Sequence, residues 1–155
     1  MKYIRSFEEF ISEGIVKKVI ADKLRAKSLI SESERKFISL KEQLEKIGIK
    51  DENANDYVED CYNIIMPLIR AKMLLEGYNS SGSGAHEAEV AYMKLLGFEE
   101  KEVRFTNQIR FFRNGILCYG KQFDAEYGNK VIKFLNMIYP KLRDISKEAL
   151  NVKPR

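Results

Sequence analysis

Residues 105–123 read FTNQIRFFRNGILCYGKQF, and within them Arg113 and Asn114 place a planar donor fork beside an amide that both donates and accepts. That pair suits a phosphate oxygen or a base edge, and equally the capping or cross-linking of neighbouring helices. From residue 103 to residue 123 there are four basic side chains (Arg104, Arg110, Arg113 and Lys121) and no acidic one. An acid-free stretch in a nearly balanced chain favours an anionic partner. Cys118 could act as a nucleophile only if a neighbour stabilised its thiolate. On ideal helical geometry Arg113 and Cys118 point about 140° apart, so a buried, inert thiol is expected. Tyr119 ends an apolar stripe and is expected in the core, with its hydroxyl at the rim.

Elsewhere the chemistry is thinner. His86 is the only histidine, which excludes catalytic triads and multi-histidine metal sites and predicts a packing or capping role. The glycines at 77, 82 and 84 are spaced like part of a phosphate-binding loop, but Ser83 stands where such a loop needs lysine. A flexible connection is expected there, with Ser83 as the N-cap of the next helix. Cys61 and Cys118 have no metal or redox spacing, so neither a metal nor a cofactor is expected. With no apolar leader before the first charges and no apolar run of spanning length, the expectation is a cytoplasmic protein with reduced thiols and no membrane partner.

The elements that must hold these residues follow from period and punctuation. Ser6 and Glu9 form a capping-box pattern before a short helix that Gly14 ends. Asp22 is the expected N-cap of a long helix carrying Leu24, Leu29, Ile30, Phe37, Leu40, Leu44 and Ile47 up to Gly48. Tyr57, Val58, Cys61, Ile64, Ile65, Leu68, Ile69, Met73 and Leu74 then repeat at helical spacing, marking a buried central helix with Pro67 as an expected kink. Further helices are expected over 85–96, over the basic stretch, and from about Asp124 to Leu142. Along the basic helix, Phe105, Ile109, Phe112, Ile116 and Tyr119 fall on one side; Asn107, Arg110, Asn114 and Lys121 fall on the other. No β-type alternation of useful length appears.

The fold class is therefore all-α, a bundle of about five helices with a short extra N-terminal helix. It divides into an N-terminal helix and linker (1–21), the bundle (22–148) and a frayed tail (149–155). At 155 residues and 45% hydrophobic content the chain can bury one core unaided. Residues 99–155 hold twelve Lys/Arg against seven Asp/Glu, an excess too small for an avid, sequence-blind grip on nucleic acid.

Three runs, GYNSSGSGAH (77–86), the stretch ending LLGF at Phe98, and IRFFRNGILCYG (109–120), make the chain similar to the HEPN superfamily, small helical domains found beside nucleotidyltransferases and in toxin–antitoxin systems. Active members carry R-N-x-x-x-H. Arg113 and Asn114 match its start, and Cys118 stands in the position of the histidine. The resemblance implies a homodimer in which two such motifs meet, with arginine binding phosphate and histidine moving protons in metal-independent RNA cleavage. Without the histidine it implies an RNA- or nucleotide-binding module that keeps the fold, binding through Arg110, Arg113, Asn114, Tyr119 and Lys121, with Phe111 and Cys118 as dimer contacts. Two alternatives are a metal-independent RNase in which Cys118 or Tyr119 replaces the histidine, and a helical partner of a nucleotidyltransferase-like protein. Some members have a modifiable tyrosine two residues past the histidine; Gly120 occupies that position here.

Overall fold

A computed structural model describes residues 3–151. Its centre is the helix α3 (Ala54–Leu75), whose buried residues include Tyr57, Val58, Cys61, Ile64, Ile65, Leu68, Ile69, Met73 and Leu74, the set that the helical period marks out. The helix runs unbroken through Pro67. Proline removes a donor from that turn, and buried hydroxyls from two neighbouring helices reach the carbonyls on either side of it. Ser33 Oγ donates to Ile64 O at 2.6 Å and Ser146 Oγ to Leu68 O at 3.0 Å.

Those neighbours are α2 (Lys23–Lys46) and α6 (Ala125–Leu150), which pack along α3. Asp22 caps α2 through the Arg25 N–H, and Asp124 caps α6 through the Tyr127 N–H. The last helix continues eight residues past the expected Leu142, because Ile145 and Leu150 keep the apolar face in contact with the core. Of the expected frayed tail, residues 152–155 lie outside the described residues.

The short helix α1 (Phe7–Ser12) starts at the Ser6 cap as expected and buries Phe7 and Phe10 in the same core cluster as the bundle. Two stretches expected as linker and loop instead pair as a small antiparallel ribbon, β1 (Val16–Lys18) with β2 (Tyr78–Ser80), in the register Val16↔Ser80 and Lys18↔Tyr78. Strands of three residues are too short for alternation to show in sequence.

After the ribbon, α4 (Ala85–Tyr92) begins at Gly84, not Ser83. The chain is left-handed there, with φ +90°, a conformation that a serine adopts poorly. A 3₁₀ turn (Met93–Leu96) carries α4 to Gly97, and α5 (Glu100–Tyr119) follows from a Glu99–Glu102 capping box. Among the described residues no helix is long and apolar enough to cross a membrane.

Candidate functional site

The two halves of α5 differ. Val103, Thr106, Asn107 and Ile109 are buried, and beyond Ile109 no residue of the helix is. Its end is closed by Gly120 in the left-handed region (φ +63°), with Lys121 N donating back to Gly115 O at 3.3 Å, a Schellman-type stop. The linker beyond is held by Asn55, whose Nδ2 donates to Lys121 O at 2.8 Å and whose Oδ1 accepts from Phe123 N at 2.9 Å.

Of the expected site residues, Arg110 and Arg113 lie half-buried one turn apart along α5, Arg113 against Tyr62 of α3, and Asn114 is exposed next to them. Four expectations need correction. Tyr119 is 88% exposed, because α5 projects past the core before it ends. Cys118 is exposed for the same reason. Asn107 faces inward, 8% exposed, where its Oδ1 accepts from Arg110 Nε at 2.8 Å. Lys121 lies beyond the helix, with its ammonium 4.7 Å from the Phe112 ring centre and 5.2 Å from that of Phe123, so its charge covers an aromatic cluster and does not extend the polar face of α5. Phe111 is exposed.

Arg113 reaches Tyr62 of α3, its guanidinium carbon 4.9 Å from the ring centre, while its Nε is buried with no hydrogen-bond partner. Neither Arg110, Arg113 nor Lys121 pairs with a carboxylate among the described residues. Tyr62 is buried, and its hydroxyl lies 2.6 Å from His86 Nδ1 in the first turn of α4. Burial, reinforced by the Glu89 charge, pushes the Tyr62 phenol up to about 12, although Arg113, Arg110 and Arg70 pull the other way. The phenol therefore stays protonated at neutral pH and shares one hydrogen bond with Nδ1, so Nε2 is the ring nitrogen left for another partner. His86 itself is exposed. Partial burial, Arg70, Arg113 and Arg110 push its pKa below the ordinary histidine value against the opposing pull of Glu89.

Beneath this face lies a neutralised pair. Glu89, 2% exposed, accepts from Arg70 Nε at 3.2 Å and from Arg70 Nη2 at 3.0 Å, and also from Ser80 Oγ at 3.2 Å. A fork-to-fork ion pair with a third donor compensates the burial of the carboxylate, and it ties α3, β2 and α4 together.

Tyr62, Arg70, Ser80, His86 and Glu89 thus complete a polar cluster of which sequence reasoning found only the α5 side. The sequence carries no signal for Glu89, which stands two residues after Glu87 in the same helix and differs from it only in being buried. Compared with family models, curated proteins and solved structures, the chain gives no match.

Proposed function

We propose that this chain is a HEPN-like RNA- or nucleotide-binding module that grips phosphate through the Arg110–Arg113 face of α5, with Asn114 beside it. One observation carries the reading: in an ion-paired molecule, these arginines face a cluster whose only carboxylate is already taken by Arg70. Buried or half-buried cationic donors without an anion are an open half of a charge-assisted contact, and phosphate oxygens fit them.

The test is a titration of fluorescently labelled single-stranded RNA at several salt concentrations. Arg113→Ala is expected to weaken binding by about tenfold to a hundredfold, the range for a lost hydrogen bond to a charged group. It should also flatten the salt dependence by about one ion. Equal affinity and equal slope for wild type and variant would remove this function.

The same reading seats a second copy of the chain on the projecting end of α5. Phe111, Leu117 and Tyr119 expose apolar surface there, next to Cys118. Two acid-free faces repel, so pairing is expected to strengthen when an anion lies between them. Light scattering with and without RNA reads this directly. A strict monomer under both conditions would drop the homodimer and leave the apolar end for a different protein, such as a nucleotidyltransferase-like partner of the toxin–antitoxin type.

A further inference from the structure

His86 is left over from the function just described: a sole histidine, exposed, with one ring nitrogen fixed by a buried phenol and the other without a protein partner among the described residues. The Tyr62 hydrogen bond occupies Nδ1 and leaves Nε2 on the opposite side of the ring, where it donates whenever the ring carries its second proton. The same tyrosine ring lies beneath the Arg113 guanidinium, so two donors converge from different helices on one residue of α3. The α4 end that carries His86 has no side-chain cap on its free amides.

Charge decides which anion fits. Facing His86 are Arg70 from α3, Glu89 from α4, and Arg110 and Arg113 from α5. Glu87 of α4 turns to Arg5, ahead of α1, at 3.6 Å, an arginine that also spans both oxygens of Glu13. Among the charges that act on His86, Glu89 is held by Arg70, so Arg110 and Arg113 leave two positive charges there without a carboxylate. A backbone phosphodiester carries one negative charge. A phosphate monoester carries between one and a half and two near neutral pH, with three oxygens able to accept.

We infer that His86 Nε2–H, Arg113 and Arg110 form a subsite for a phosphate monoester, the group found at an RNA end or on a mononucleotide, and that Tyr62 is a positioning residue that fixes the ring for this contact. The inference rests on α5 being the nucleic-acid face and adds which phosphate that face selects. A dianion seated there opposes the arginines that disfavour a charged imidazole, so binding draws a proton onto His86 and tightens as pH falls from 8 towards 6.5.

Competition binding separates the possibilities, using the whole chain and a labelled RNA displaced by unlabelled 5′-phosphorylated, 3′-phosphorylated or hydroxyl-ended RNA of one sequence, by a nucleoside 5′-monophosphate, and by inorganic phosphate. A 5′- or 3′-phosphorylated end is expected to bind about tenfold more tightly than hydroxyl ends, the value of one charge-assisted hydrogen bond; whichever end wins identifies the source. His86→Asn should abolish that preference while leaving hydroxyl-ended RNA within about twofold of wild type, with unchanged thermal unfolding as the check on folding. Tyr62→Phe should keep part of the preference but shift the midpoint of its pH dependence, because the ring loses the hydroxyl held at Nδ1, which a packing role alone would not alter. Hydroxyl-ended RNA that binds in an Arg113-dependent way with no preference for a phosphorylated end would overturn the subsite and leave the RNA reading standing. Calorimetric titration with the nucleoside monophosphate that shows His86-dependent binding, with no RNA binding at all, would do the reverse, and no binding by any probe would remove both.

Discussion

Arg70 and Arg113 border the same histidine and tyrosine, yet they sit in opposite electrical situations. Arg70 spans a buried carboxylate with both arms of its fork, and a serine hydroxyl completes the pair. Arg113 lies over a tyrosine face with a buried Nε that meets nothing. A charge neutralised within the protein holds elements together, and one left unneutralised lowers its energy only when something else arrives. The first arginine therefore belongs to the architecture, and on the proposed function the second belongs to a ligand.

That contrast breaks most visibly at Glu89. Glu89→Ala leaves the Arg70 guanidinium uncompensated and unties β2 from α4, so a loss of about 3 kcal/mol in folding stability is expected, the lower end for breaking a buried pair because Arg70 is partly exposed. Chemical denaturation measures it, with Arg113→Ala as the control expected to unfold at nearly the wild-type midpoint. If the two variants exchanged behaviours, the division of labour between the arginines would be wrong. Ser80→Ala is a gentler probe of the same pair. It removes one donor from Glu89 Oε1 while the two Arg70 contacts remain, and should cost about 1 kcal/mol.

Most of the scaffold around these arginines was legible from residue order. Ser6 and Asp22 cap the helices their positions announce, and the buried set of α3 is the set its period predicts, since local chain chemistry and a 3.6-residue repeat are written in consecutive residues. The β1–β2 ribbon was not legible, being three residues to a strand and paired over a separation of sixty. The site divides in the same way. Arg110, Arg113 and Asn114 share one helix and one stretch of sequence, so their acid-free character could be seen. Tyr62, Arg70, Ser80, His86 and Glu89 meet them only through the packing of α3, β2, α4 and α5, and Glu89 looks like any helical surface glutamate until its burial is known. The fates of Tyr119 and Cys118 depended on where α5 leaves the core, which its amphipathic period does not state.

Acid provides a third probe, smaller than the substitutions at the buried pair because His86 is exposed. The fold disfavours the imidazolium, chiefly by partial burial and then through the three arginines. As pH drops through the ordinary histidine range near 6.5, the unfolded chain takes up its proton before the folded protein does, so stability falls. The fall stops once pH passes below the depressed value in the folded state. A His86→Gln variant should lack this component between pH 7.5 and the onset of carboxylate titration. Calorimetric midpoints across that range check it, and parallel curves for the two proteins would mean that the fold does not disfavour the imidazolium.

The smallest stability effect is expected where α5 stands clear of the core. Phe111 and Tyr119 are exposed, while Ile109, only two residues before Phe111, is fully buried. Truncating either aromatic to alanine should move folding stability by no more than about 0.5 kcal/mol, because surface substitutions away from caps and pairs rarely do more. Ile109→Ala should cost at least 2 kcal/mol, roughly the lower bound for emptying a core site. A large loss of thermal stability on Phe111→Ala that disappears on dilution would identify a subunit interface already closed without RNA, since only an association equilibrium makes stability depend on protein concentration. A small loss at every concentration would leave the end of α5 as free surface in the absence of a ligand, and would confine the effect of these aromatics to assays that contain RNA or a partner.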